Sequence, residues 1–292
     1  MKKLLRLGVA ACALAAAGMA QGATGLDEHN FVDTADVIAD VVSNSGVAFS
    51  TMALWTAADI RPGVRTAAFK AAPDSAVRQF DMPCPDGGHA SGTIRDTDRS
   101  GDLSRRDRFV TVFKDCVVDG LVMSGQGEFV VTAHRYEGMA EFTELDFSFD
   151  DMGSDRLRWT GRARVTLRSD LHRGTDLYTV QYKDLQAKAG EHDMRWNFSF
   201  ELVRPPIGEQ VAALNGSLTL DGMHLKLRQD DGFTMRGDGV PRTGQLSATD
   251  EHGARLEIEA GRWRYAYRLY RAGSTGVLPD SSSQSRPHSE RR

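Results

Sequence analysis

The sequence predicts a mainly β protein: a long antiparallel meander that curls into a sandwich, half-barrel or barrel, preceded by a short helical N-terminal segment. From Gly88 onward apolar residues recur with period two, and the runs are broken by Gly, Asn, Asp and Pro. No helix-period stretch lies between the runs, so the strands must be joined by hairpins rather than crossovers. The chain has 292 residues, 40% of them hydrophobic and 26% charged, which is enough to build a buried core. All-β bodies reach about 200 to 250 residues undivided, so one β domain over residues 84–271 is expected. The net charge of −4 gives no general reason to bind nucleic acid.

Residues 1–20 read as a secretory signal. Lys2, Lys3 and Arg6 precede a small-residue apolar run, and Gly18-Met19-Ala20 supplies the small residues of a cleavage site. Cleavage there removes three basic residues and no acidic one, leaving a more acidic chain. A lipoprotein box ending at Cys12 is the alternative. The apolar run is shorter than the roughly 20 residues of a membrane span, and no later stretch reaches that length, so no transmembrane helix is expected. Export to the periplasm follows, with secretion or outer-membrane association as alternatives.

Residues 21–83 carry the only helical signal. Phe31, Val37, Ile38, Val41 and Val42 fall on one helical face after the candidate caps Asp33 and Thr34, and a second apolar stretch covers residues 47–55. The β pattern then takes over. Met194, Trp196, Phe198, Phe200 and Leu202 alternate with Arg195, Asn197, Ser199 and Glu201. The same alternation runs through Leu145, Phe147 and Phe149, through Ala163, Val165 and Leu167, and through Trp263, Tyr265, Tyr267 and Leu269. Shorter strands are expected around Leu218, Leu225 and Leu256, with hairpin turns at Asp221-Gly222, Asp231-Gly232 and His252-Gly253. Residues 272–292, rich in Ser and polar groups, have little to bury and are expected to be disordered. Alternating strands are also the signature of an outer-membrane barrel, which the polar tail and large N-terminal segment argue against.

Once Cys12 leaves with the signal, Cys84 and Cys116 remain, and in an oxidising compartment they are expected to pair. Two separate buried thiols are the alternative. Pairing would place the cystine at the base of a hairpin whose turn lies near residues 101–102.

That turn carries a specific chemistry. Asp96, Asp98, Ser100, Asp102, Ser104 and Asp107 occupy positions 1, 3, 5, 7, 9 and 12 of a twelve-residue stretch, with Gly101 at 6 and Leu103 at 8. Hard cations take six to eight oxygens at about 2.3 to 2.6 Å, and this spacing resembles the calcium loop of EF-hand and dockerin proteins. The resemblance implies side-chain ligands from positions 1, 3 and 5, a carbonyl from Asp102, a water-bridging Ser104 and a terminal Asp107, with calcium as the bound ion. Asp107 stands where an EF-hand has Glu, and Ser100 replaces an acidic group, so weak affinity is implied. The flanks, residues 91–95 and 109–117, read as strands. An EF-hand's helix pair is therefore missing and an ion-driven switch is not expected. A polar hairpin loop without an ion is the alternative.

Residues 84–127 carry a second resemblance. Cys84-Pro85-Asp86-Gly87-Gly88, the acidic loop, Phe113-Lys114-Asp115-Cys116 and the segment between Gly120 and Gly127 are similar to uncharacterised exported β-rich bacterial proteins. No activity comes with it.

No catalytic motif appears. His29, His89, His134, His172, His192, His224 and His252 lack zinc-type spacing, and Asp150-Asp151 and Asp230-Asp231 suit turns better than paired-carboxylate catalysis. Arg156, Arg158, Arg162, Arg164 and Arg168 share parity and form a basic stripe, for which cross-strand pairing with Glu144, Asp146 and Asp150 is the simpler expectation. The expected function is that of a non-enzymatic exported β protein. A binding or carrier protein for an anionic or amphiphilic envelope molecule is the first alternative, and a hydrolase with unrecognised carboxylates the second.

Overall fold

Period-two alternation becomes one antiparallel sheet of fifteen strands in the computed structural model. Residues 25–44, 76–84, 86–118, 121–154, 157–235, 241–261, 264–273 and the backbone of 277–284 are described. The expected signal (1–20), the apolar stretch at 47–55, Arg156, Trp263 and residues 285–292 lie outside them.

After α1 (Phe31–Asn44) come β1 (Val77–Pro83), β2 (His89–Arg95), β3 (Arg108–Val118), β4 (Leu121–Glu137), β5 (Ala140–Gly153), β6 (Arg158–Asp170), β7 (Thr175–Tyr182) and β8 (Leu185–Ala189). Then follow β9 (His192–Arg204), β10 (Gln210–Leu220), β11 (Met223–Met235), β12 (Pro241–Asp250), β13 (Arg255–Ala260), β14 (Tyr265–Tyr270) and β15 (Val277–Gln284). Each strand pairs with its sequence neighbours, except that β7 and β8 both pair with β6 and with β9. They are one strand interrupted at Lys183-Asp184. The path is open, with β1 and β15 as its ends.

The sheet reaches past the expected domain limits on both sides. Residues 77–83 belong to it, although only Phe80 of β1 is buried, which is why the alternation there is too faint to read. Residues 277–284, expected to be disordered, pair their backbone with β14. Ladder hydrogen bonds need no apolar side chain, so the polar sequence concealed the strand.

α1 begins earlier than its expected caps. Asp27 Oδ1 accepts the N–H groups of His29 (2.8 Å) and Asn30 (3.0 Å), starting the helix at Phe31 and leaving Asp33 in its first turn. Ile38, Val41 and Val42 are fully buried with the sheet's core. The helix touches β13 and β14, where Tyr267 donates to Asp36 Oδ1 at 2.6 Å and the Ser43 hydroxyl meets the Tyr265 hydroxyl at 3.3 Å. Tyr265 and Tyr267 therefore face the core.

The buried face of β3 to β9 is an aromatic ladder. Phe109 stacks on Phe129 (4.1 Å between ring centres), Phe129 on Phe147 and Phe147 on Phe149. Trp159, Trp196, Tyr182 and Phe198 continue the series at 5.1 to 6.4 Å. Rings at these distances gain about 0.5 to 1.5 kcal/mol per pair beyond the area they bury.

A line of β-bulges bends the sheet. Asp115, Asp151 and Asp184 take positive φ (48°, 45° and 50°), and each donates its N–H to a side-chain oxygen on the next paired strand. The acceptors are Ser124 Oγ (3.0 Å), Thr160 Oγ1 (3.0 Å) and Asn197 Oδ1 (2.9 Å). An extra residue on one strand of a pair deepens the local twist, and repeating it across neighbouring pairs lets a long sheet curl over its own apolar face.

Asp221-Gly222 makes the expected turn, both residues at positive φ. His252-Gly253 also turns, with Gly253 alone at positive φ and Asp250 Oδ1 accepting the N–H groups of His252 (2.9 Å) and Ala254 (2.8 Å). Asp231-Gly232 does not turn. β11 runs through it as a bulge, because the Gln229 carboxamide accepts from Leu214 N (3.1 Å) and donates to Gln245 O (2.9 Å), replacing the ladder bonds lost there. Asp150-Asp151 likewise lies in a bulge of β5 rather than beside a turn. Among the described residues no helix is long and apolar enough to cross a membrane.

Candidate metal centre

β2 and β3 pair from His89↔Lys114 to Arg95↔Arg108, leaving residues 96–107 as the loop at one end of the hairpin. At the other end Cys84 and Cys116 are bonded, with Cα atoms 5.4 Å apart. The expected disulfide is present, and it fixes the strands that present the loop.

Both ends of the loop are tied down. Asp96 N–H donates to Ala76 O at 2.9 Å, ahead of β1. On the other side Arg106 N–H donates to Val131 O (2.8 Å) and Val131 N–H to Asp107 O (2.9 Å), so the loop's exit pairs with β4. The Thr97 hydroxyl closes the neck by donating to Arg106 O at 2.8 Å.

Inside this frame the carboxylates converge. Asp96, Asp98 and Asp107 each offer an oxygen, all within 4.8 Å of one another. Two oxygens on a cation at 2.3 to 2.6 Å can lie no more than about 5 Å apart, so the three fit one coordination shell. Asp96 is 4% exposed and Asp107 fully buried, while Asp98 faces solvent.

Each carboxylate is aimed by loop N–H groups. Gly101, at φ 80°, donates to Asp96 Oδ2 at 2.9 Å, and Ser100 donates its N–H to Asp98 Oδ1 at 3.0 Å. Asp107 accepts Thr97 N–H on Oδ1 and Ser104 N–H on Oδ2, both at 2.8 Å. The Ser100 hydroxyl donates to Asp102 O at 3.0 Å, bringing positions 5 and 7 together. Asp102 itself points its side chain outward. Two loop oxygens are left over: Asp96 Oδ1 and Ser104 Oγ are buried and make no hydrogen bond.

The electrostatics differ sharply between partners. Hydrogen bonds from Ser100 hold the Asp98 carboxyl down at about 2, so it is ionised throughout the neutral range. Burial pushes Asp107 up from the ordinary carboxylate value, and the nearby charge of Asp96 adds to this. Collecting buried negative charge without a cation is costly, and the N–H donors offset only part of it.

The spacing of residues 96–107 anticipated all three converging carboxylates. It missed Thr97, which contributes both a donor to Asp107 and the bond across the neck, and it missed the docking on Val131. The docking could not be read without knowing that β4 lies alongside, and Thr97 stands at a position of the twelve-residue spacing that carries no ligand.

The other candidates stay apart. His89 contacts Asp81, His192 Nδ1 meets Asp221 at 2.6 Å, and His134 Nδ1 meets the Thr143 hydroxyl at 3.0 Å. The His89 and His134 pairs each lie within one hairpin, whereas His192, at the start of β9, reaches the β10–β11 turn. The arginine stripe is partly paired, as expected: Arg164 Nε lies 2.9 Å from Asp146 Oδ1 and Nη1 3.8 Å from Glu144, but Arg158 chooses Asp151 at 2.6 Å. Compared with protein-family models, with curated proteins and with solved structures, the chain matches none.

Proposed function

We propose that this chain is an exported, non-enzymatic β protein, residing in the periplasm, whose β2–β3 loop holds a structural calcium ion. The observation that carries the reading is the buried Asp96 Oδ1, which lacks a hydrogen-bond donor beside two further carboxylates. A divalent cation supplies the missing partner. Oxygen-only donors select a hard ion, so calcium suits the set better than zinc or copper. Asp96, Asp98 and Asp107 would provide carboxylates, and Ser100, Ser104 and the carbonyl of Asp102 the neutral oxygens. Since the loop is already pinned to Ala76, Val131 and the paired strands, the ion would stabilise rather than rearrange it. The disulfide supports export, because such bonds persist in oxidising compartments.

The experiment is thermal unfolding of the metal-stripped protein in calcium and in chelator. Stabilisation should follow RT ln(1 + [Ca]/Kd), or about 2.7 kcal/mol at a hundredfold excess over Kd. With Ser100 in place of an acidic ligand and a short Asp107, Kd should be on the order of 10⁻⁴ to 10⁻³ M. Superimposable melting curves would reduce the loop to a polar hairpin.

A further inference from the structure

The outer face of β4 to β7 carries a groove of about 570 Å³, remote in sequence from the acidic loop and floored by polar side chains. Its lining includes Glu128, Asp146, Ser148, Arg162, Arg164 and Lys183. We infer that this groove binds a polar molecule bearing an oxyanion, a phosphate or carboxylate, held between Arg162 and Lys183.

The argument rests on which charges are already spent. Glu128 is gripped twice by Arg108, with Nε–Oε1 at 2.6 Å and Nη2–Oε2 at 2.8 Å. Asp146 is held by Arg164 Nε at 2.9 Å. Every carboxylate of the groove therefore has its arginine. Arg162 and Lys183 make no ion pair among the described residues, so the groove holds two uncompensated cations on a chain whose net charge is negative.

The backbone places these two groups side by side. Ser148 faces Arg162 across β5 and β6, and Ala163 faces Tyr182 across β6 and β7, which puts Lys183 next to Arg162. Lys183 stands at the break between β7 and β8, where the extra residue re-aims the chain. The following Asp184 makes no ion pair with it and turns instead to the neighbouring strand. Asp184 N–H donates to Asn197 Oδ1 at 2.9 Å and the Asn197 amide donates back to Asp184 Oδ1 at 3.1 Å, closing that pair on itself. A row of hydroxyl, guanidinium and ammonium results, with the Gln181 carboxamide beside it.

This row suits an oxyanion: Arg offers a planar fork of donors, Lys a point charge and Ser a hydroxyl. The size lies within the range of small-molecule sites. Of the apolar members Phe147 is 2% and Ala163 5% exposed and Val130 alone is partly open, which is too little to seat an acyl chain. The ligand class is thus an acidic saccharide or a phosphorylated headgroup rather than a whole amphiphile.

Calorimetry with inorganic phosphate and with oligogalacturonate tests free solutes, and cosedimentation with phosphatidylcholine vesicles, with and without phosphatidylglycerol, tests a headgroup source. The full exported chain should bind at least one probe. Changing Arg162→Gln together with Lys183→Gln should weaken that binding by at least about tenfold, as expected when charge-assisted hydrogen bonds are lost. Arg168→Gln, on the same strand and face but outside the groove, should leave it unchanged. Binding confined to vesicles containing phosphatidylglycerol assigns the oxyanion to lipid, and binding of the soluble probes assigns it to a free solute. The site is overturned if no probe binds, if the double variant binds as the parent does, or if Arg168→Gln weakens binding equally.

Discussion

Asp151 donates its backbone N–H to Thr160 Oγ1 at 3.0 Å across β5 and β6, and the surrounding residues repeat elsewhere in the sheet. Phe149-Asp150-Asp151-Met152 matches Phe113-Lys114-Asp115-Cys116 and Tyr182-Lys183-Asp184-Leu185, each an aromatic, a polar residue, a left-handed Asp and an apolar residue. The apolar residue pairs in every case with a buried partner: Cys116↔Met123, Met152↔Trp159 and Leu185↔Trp196. Ser124, Thr160 and Asn197 follow those partners and accept the Asp N–H. The sheet is therefore partly built from a recurring bent hairpin.

Breaking this device should cost stability in proportion to what it replaces. Thr160→Val removes one partly solvated hydrogen bond and should cost about 1 kcal/mol. Gly125→Ala is worse, because a Cβ would stand 2.2 Å from Asp151 O at a φ of 112°. Strain of that kind costs about 1 to 3 kcal/mol before the clash is added. Urea unfolding midpoints give the comparison, and a Gly125→Ala protein as stable as Thr160→Val would contradict the close approach.

The disulfide yields a second expectation. Without reduction, alkylation should label neither Cys84 nor Cys116, as read by intact mass. Replacing both by Ala should cost about 3 kcal/mol, since the bridge closes a long loop, with sequence separation 32. It should also widen the calcium dependence of melting, because the hairpin base that presents residues 96–107 is no longer fixed.

How much of this was legible follows from where the signal resides. The alternation through Met194, Trp196, Phe198 and Phe200 marked a strand because one face is wholly buried. β1 and β15 are held mainly by backbone pairing, which leaves no period in the side chains. Asp231-Gly232 looked like Asp221-Gly222, and only the reach of Gln229 to Gln245 distinguishes a bulge from a turn. The recurring aromatic, polar, Asp, apolar tetrad was present in the sequence, but its meaning depends on cross-strand partners that lie many residues away. The acidic loop was readable because its converging carboxylates are close in sequence, whereas the cationic groove required the pairing of Glu128 with Arg108 and Asp146 with Arg164.

Alkaline pH should expose a further consequence of burial. Tyr182 is buried among Trp196 and Phe198, and desolvation drives its hydroxyl well above the ordinary value of 10. Tyr178 and Tyr270 are also raised, chiefly by burial, with Asp176 and Glu257 adding to it respectively. A folded pKa above the unfolded one means that stability is complete below about pH 10 and declines as pH rises past it, because the unfolded chain ionises first. Tyrosinate absorbance should therefore rise in two stages, the later one coinciding with loss of the β spectrum. Full ionisation of all tyrosines while circular dichroism stays native would show that Tyr182 is not enclosed.

The loop's carboxylates should separate an ion's contribution from that of the hydrogen bonds. Asp107 uses both oxygens to accept Thr97 and Ser104 N–H groups in a fully buried position. Asp107→Asn turns one acceptor into a donor facing an N–H, so it should destabilise by about 1 to 3 kcal/mol with or without calcium. Asp98 is exposed, and the bond it takes from Ser100 N–H can be kept by an amide oxygen. Asp98→Asn should then melt like the parent in chelator and lose most of the rise that calcium produces. Asp96→Asn tests the orphaned oxygen directly: its carbonyl can retain Gly101 N–H while its amide takes the place of Oδ1, so the chelated form should be no less stable and calcium should no longer help. Melting curves in calcium and chelator for the three variants provide the measurement. If Asp98→Asn and Asp96→Asn keep the parent's full calcium response, the ion does not sit among these carboxylates.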